Sequence, residues 1–416
     1  MPEITPALLT DIRARFAHVD ACPFSGPRVF FENAGGALTL KSVVETSTHF
    51  AAIPDNPGRV NPAGEALTRI IATARDDVKT LFNVTAGQVV VGESGTELLF
   101  RLIRAACLGT RSGTVLGTTL EHPATRSAAQ RWAGEAGMSH VLVPHNDATG
   151  AITPDHYAAA VTLETRVATV IHTSPVTGMG TDLAGVVAAI RAVAPECFIV
   201  VDGIQHAAHG AIDLSDAPVD GYVISPYKAF SRHGYGVAWL SDRLAALSHD
   251  HLIDAPGEPW ELGTRDAGAY ATMSDVVAYL DWLGSAVSDT SDRRARLEAA
   301  SEAIHDHEAG LVAAALHGTG NQTGLVDLPG VTVLGGIENP AREGLISLTV
   351  DGVAAEEVVA RLNAEGIRTH TRKADHYSGN VLTPLGLDAC VRVSFAHYNS
   401  EAEIAAFLAA MRDIAS

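Results

Sequence analysis

The sequence predicts an α/β fold, with a large unit on a seven-stranded, mostly parallel sheet and a smaller α/β unit after it. Three observations predict it. From Gln88 onward, short apolar runs recur at VVVG (89–92), TVLGT (114–118), HVLVP (140–144), RVATVIH (166–172), FIVVD (198–202), GYVIS (221–225) and YGVAWL (235–240), each of strand length. Helical patterns separate most of these runs, the alternation in which crossovers join parallel strands. After Trp239 the pattern changes: residues 274–316 read as helical and charged, and the remainder alternates strand and helix on a smaller scale.

The elements follow in chain order. Residues 1–27 form an N-terminal arm, a short amphipathic helix through Leu8, Leu9, Ile12 and Phe16 that ends at a Cys-Pro turn. VFFENAGG (29–36) reads as a strand stopped by a glycine pair, and residues 40–82 as helical with a break at Asp55 to Gly64. The first sheet strand leads into GESGTELLFRLI. There Gly95 lets backbone approach closely, Ser94 and Thr96 offer hydroxyls, and Thr96 opens a helix whose free amides favour an anion. A P-loop is excluded, because GxxxxGK[ST] is absent. EHPATRSAAQRW (121–132) places His122 between a strand end and a helix.

FIVVD and GYVIS are expected to flank a helix over Gly203 to Gly210. Each ends in polar residues: Asp202 after the first, Ser225 and then Lys228 after the second. The carboxyl ends of parallel strands face the ligand crevice, so an acid and an amine enter one cleft. Pyridoxal phosphate uses such a pair: the amine condenses with its aldehyde as a Schiff base, and the carboxylate keeps the pyridine nitrogen protonated. Taken singly, a strand-end Asp also caps helices and a lysine is usually solvated. Further on, HDHE is expected to form a solvated helix face, since His305 and His307 cannot point one way. Gly318 to Gly330 reads as a connecting loop, and a closing helix starts at Ser400. Arg392 lies inside an apolar strand, which is costly without a partner.

Composition sets the outer bounds. With 416 residues and 47% hydrophobic content the chain can bury a sizeable core. A formal charge of -19 argues against nucleic acid or an anionic membrane as partner. The four cysteines, Cys22, Cys107, Cys197 and Cys390, lack the spacing of a zinc site or a disulfide framework. No signal-peptide core and no run of about 18 apolar residues is present, so a cytoplasmic protein is expected.

Asp202 and Gln205, followed by Ser225 and Lys228, form D-x-x-Q and S-x-x-K strings. With GESGT, and with VRVSFAHYNS matching R-x-S-x-x-x-Y-N, the chain resembles the class V aminotransferase group, which contains cysteine desulfurases and related C–S lyases and epimerases. The resemblance implies a fold type I enzyme using pyridoxal 5'-phosphate, with a cofactor domain over 28–270 and a small domain over 271–416 on which the arm packs. It implies Lys228 and His122 as catalytic residues. Ser94, Gly95, Thr96, His122, Asp202, Gln205, Ser225, Tyr227, Lys228 and Thr264 would contact the cofactor. Arg392, Asn33, His376 and Tyr377 would contact an amino-acid substrate. It further implies a homodimer in which Thr264, in WELGTRDAG, reaches the neighbour's phosphate.

Three departures from the group stand out. Pro175 replaces an asparagine, Tyr227 replaces a histidine, and the loop from His370 to Cys390 lacks the nucleophilic cysteine of desulfurases, its one thiol lying two residues before Arg392; His370, Arg372, Asp375, His376 and Tyr377 stand there instead, either to contact a substrate side chain or act as acids, or as a mobile polar loop. The expected reaction is therefore β-elimination from a cysteine-type amino acid without a persulfide, with transamination second and epimerisation third. A non-catalytic scaffold that binds the cofactor is the alternative from another class.

Overall fold

The computed structural model describes residues 3–257 and 259–416; the first two residues of the expected N-terminal arm lie outside that range. Seven strands build the main sheet: β1 (Gln88–Gly92), β2 (Thr114–Thr118), β3 (Ser139–Val143), β4 (Thr165–Ile171), β5 (Phe198–Asp202), β6 (Gly221–Ile224) and β7 (Gly236–Leu240). Their order is β1-β7-β6-β5-β4-β2-β3. Only β7 runs antiparallel to its neighbours. Every residue of β4 and β5 is buried, as expected of β-branched strands covered on both faces. The carboxyl ends of β1, β5 and β6 therefore open on one edge of the sheet.

Between β5 and β6 the expected helix does not form; a single 3-10 turn, His206–Ala208, takes its place. Glycines bracket it for steric reasons. A Cβ on Gly203 would stand 2.2 Å from the Tyr222 ring, and one on Gly210 would stand 2.7 Å from the His206 ring. Glycine at both ends and so short a segment leave helix nucleation uncompensated.

The second sheet is antiparallel, with β8 (Val331–Val333), β9 (Leu345–Val350), β10 (His370–Lys373) and β11 (Ala389–Ser394) in the order β8-β9-β11-β10. Val29–Phe30 pairs in parallel with Ile367–Arg368, so Phe31 joins this unit's core. Helix Ala267–Val287 packs on Lys41–Ala51 and Pro62–Leu81 of the large unit, and the division expected between 270 and 271 falls inside it. Helix Arg293–His317 begins in the large core with Leu297 and Ile304 and ends in the small one with Leu311 and Ala315. His305 is exposed, as expected for a solvated face. Glu308, read as part of that face, is instead fully buried. No helix among the described residues is long and apolar enough to cross a membrane.

Candidate active site

β6 runs into the 3-10 turn Pro226–Lys228, which delivers the lysine to the carboxyl edge. Its Nζ donates to Gln205 Oε1 at 3.4 Å. Burial, then the nearby charge of Arg392, pulls this amine down to about 7, although Asp202 works the other way. Asp202 ends β5 and is 3% exposed. Its Oδ2 accepts from the Thr125 hydroxyl at 2.9 Å and its Oδ1 from the Ile204 N–H at 3.2 Å. Burial nevertheless raises this carboxyl, outweighing those bonds and Lys228.

His122 is both a helix cap and a wall of the pocket. Its Nδ1 accepts from the Ala124 N–H at 3.2 Å at the head of helix Pro123–Glu135, which leaves the ring proton on Nε2. Burial first, then Lys228 and Arg372, pushes it down to about 3, so the ring is neutral at physiological pH. Beside it Glu121 is fully buried, accepts from Thr169 Oγ1 at 2.7 Å, and is raised by burial to about 8.

Helix Gly95–Leu108 begins where β1 ends, with the Ser94 hydroxyl accepting from the Glu97 N–H at 3.1 Å. A Cβ on Gly95 would lie 2.4 Å from Ser225 Oγ, and one on Gly236 would lie 2.5 Å from the Gly95 nitrogen. Gly236, hard against backbone, has to be glycine for the helix to start against the strands, while a side chain at Gly95 would displace the Ser225 hydroxyl and the tip of Ile204. Thr96, His122, Thr173, Asp202, Gln205, Ser225, Tyr227 and Lys228 line a single pocket. A buried amine, a buried carboxylate and the free amides of a helix N-terminus fit a cofactor with an aldehyde, a ring nitrogen and a phosphate.

An adjoining cleft is lined by Arg392 and Arg372. Arg392 stands in the middle of β11, opposite Ser347 and His370. Its Nη1 donates to the Pro175 carbonyl at 3.0 Å, and its buried Nε has no partner. Burial, then Arg372, works against its charge. The proline that removes a side-chain amide thus still positions this arginine through its backbone. Lys228, His122, Tyr227, Tyr377, Arg372 and Arg392 all face this cleft. Tyr227 stacks on His233 at 4.3 Å.

Other candidates stand apart. Asn33 is not in the cleft wall: its amide donates to the Ser394 carbonyl at 2.7 Å and its oxygen accepts from the Tyr398 hydroxyl. His376 is exposed, its ring tilted at 41° to that of Tyr377 with centroids 4.0 Å apart. Thr264 lines a different hollow, with Asn56 to Arg59. Sequence reading did not single out Thr125 or Thr173. It also missed two buried pairs: His206 Nδ1 with Glu343 Oε1 at 2.7 Å, and His209 Nδ1 with Glu308 Oε2 at 2.6 Å. Thr125, one helical turn after His122, was within reach of a spacing argument; the two carboxylates, far off in sequence, were not.

Similar proteins identify the family and share the fold. The family model for class-V aminotransferases matches residues 29–265 and 277–407. A cysteine desulfurase-like protein of Aspergillus flavus is 26% identical over 410 residues, covering 94% of this chain and 88% of that protein. An aminotransferase-like protein of Gibberella zeae is 23% identical, over 92% of this chain and 94% of its own. Among solved structures, a cysteine desulfurase from Thermococcus onnurineus has the same fold, with a TM-score of 0.81 at 21% identity and 98% coverage of both chains. An Escherichia coli cysteine desulfurase gives 0.78 at 24% identity, again over 98% of both. The chain belongs to the class-V aminotransferase family, whose members are pyridoxal phosphate-dependent enzymes.

Proposed function

We propose that this protein is a C–S lyase that breaks the Cβ–S bond of a cysteine-type amino acid without handing the sulfur to a protein thiol. One observation carries the reading: among the described residues, no cysteine lines the cleft. Cys390 is buried in the hydrophobic core, and burial pushes its thiol up to about 11. A nucleophilic cysteine needs the opposite, an accessible thiolate.

Pyridoxal phosphate, when bound, supplies an aldehyde that captures amines and a ring that accepts negative charge from Cα. Ser94, Thr96 and the helix N-terminus would hold its phosphate, Asp202 its ring nitrogen and Lys228 its aldehyde. Arg392, fixed by Pro175, has a second Nη free to bind the substrate carboxylate. Lys228, lowered to about 7, is a neutral amine above that pH and can take the Cα proton. Overall, amino acid and water become pyruvate, ammonia and a thiol. The same reading makes the enzyme a homodimer: Thr264 keeps out of its own cleft and would meet the phosphate of a second copy.

The test is to incubate the cofactor-loaded protein with cysteine and S-alkylcysteines. Pyruvate and thiol are expected in equal amounts. An oxo acid that keeps the side chain, with loss of the visible band, would make it an aminotransferase instead. No spectral response to any amine would point to a scaffold.

A further inference from the structure

We propose that the substrate side chain ends in a carboxylate and that Arg372 binds it. This rests on the amino-acid-binding site described above and names its substrate class. β10 and the strand just before it carry four basic side chains, and three have carboxylate partners. Arg368 and His370 both meet Glu32, at 3.0 and 3.3 Å, and Lys373 meets Glu356 at 2.9 Å. Arg372, between them, has no carboxylate within ion-pair distance among the described residues. Its Nε is buried without a hydrogen-bond partner, and its one ring contact is Tyr377, with the guanidinium carbon 5.8 Å from the centroid. The nearest acid in sequence, Asp375, shares the cleft and its charge favours the Arg372 guanidinium, but the two form no ion pair; its Oδ1 accepts from the Tyr377 N–H at 2.8 Å.

An unpaired guanidinium set into a wall beside Lys228 and Arg392 is unfavourable in the empty protein. Its charge becomes an advantage when an anion enters. The cofactor phosphate is not that anion, since Arg372 is absent from the pocket that Thr96 and Ser225 line. The α-carboxylate already has Arg392. Arg372 lies opposite Cys390 across the β10–β11 ladder, one diagonal step from Arg392 on the same face. The backbones of diagonal neighbours stand roughly 7–8 Å apart and both guanidinium groups line one cleft, so the two carboxylates of a single amino diacid can meet both. A thioether such as S-carboxymethylcysteine has the same two charges and also the bond that a C–S lyase breaks.

The experiment titrates the cofactor-loaded protein with amino acids and follows the visible band. Aspartate, glutamate and S-carboxymethylcysteine are expected to bind at least tenfold more tightly than asparagine, glutamine and S-methylcysteine. Arg372→Gln should remove that preference and leave S-methylcysteine affinity unchanged, whereas Arg392→Gln should weaken all six. Equal affinities for anionic and neutral members in the wild type overturn the proposal, and so does a preference that survives Arg372→Gln. Equal loss for every ligand in Arg372→Gln also overturns it, by making Arg372 a second clamp on the α-carboxylate. A band that no amino acid perturbs removes the amino-acid reading itself, and this proposal with it.

Discussion

At the scale of single residues, Lys228 shows how burial becomes reactivity. An exposed lysine titrates near 10.5 and is almost wholly protonated at neutral pH; burial first, and Arg392 second, lower this one to about 7. Only the neutral amine attacks an aldehyde, so the rate at which cofactor-free protein takes up pyridoxal phosphate should rise through pH 7 and level off. Stopped-flow absorbance checks this, and a midpoint near 10 would mean that the amine is solvated. Stability has the matching sign. The folded state binds fewer protons than the unfolded chain between about 7 and 10.5, so this group's contribution to cofactor-free stability improves as pH rises across that window. At pH 7, Lys228→Met should therefore abolish the visible band yet stabilise the cofactor-free protein, by on the order of 1 kcal/mol or more. Lys228, Asp202 and Arg392 were legible in the sequence because each is a polar residue in or just after an apolar run, where burial has to be offset by function. Arg372 was legible only as one of five polar side chains on the loop that lacks the thiol; the ion pairs of Arg368, His370 and Lys373 are what set it apart.

Among the elements, the turn His206–Ala208 has no regular structure of its own to hold it. It carries Gln205, whose Oε1 meets Lys228 and whose Nε2 meets His209 Nε2 at 3.1 Å. His209 is in turn fixed by Glu308 of helix Arg293–His317, and His206 by Glu343. Burial works against a charged His209, but the charge and hydrogen bond of Glu308 overcome it and raise the imidazole. Glu308→Ala should cost about 3–5 kcal/mol, because it leaves a buried imidazole without its carboxylate. Replacing both residues with apolar ones should cost less than the sum of the single changes. Urea unfolding of the two single variants and the double variant gives the coupling, and additive losses would mean that the pair is not a unit. The main-sheet strands could be read locally, since each is decided by its own β-branched residues. The turn and Glu308 could not: two glycines packed on rings cancel the helix, and His209 lies 99 residues from its carboxylate.

Over the whole molecule, the large sheet was legible in the sequence, and with it the meeting of Asp202, Ser225 and Lys228 where strand ends converge on one edge, whereas Thr264 lines a separate hollow. The hollow around it includes Arg59, and the next residue, Val60, is fully exposed; Ile253, in the loop that leads to Thr264, is 91% exposed. Two apolar side chains this open, one next to the hollow and one on the loop leading to Thr264, are where the proposed second copy would be expected to seat. In the proposed dimer two copies of charge -19 would repel one another, so apolar burial would have to drive pairing, and added salt should tighten it by screening. Val60→Asp combined with Ile253→Asp places charge at both positions while leaving Lys228, Asp202 and Arg392 in place. The double variant should sediment as a monomer and lose its visible band on dilution at least tenfold sooner than wild type, because Thr264 would no longer reach a neighbour's phosphate. Thr264→Ala should shorten cofactor retention without changing the sedimentation. A wild-type chain that sediments as a monomer and still keeps its cofactor on dilution would leave each site complete within one chain.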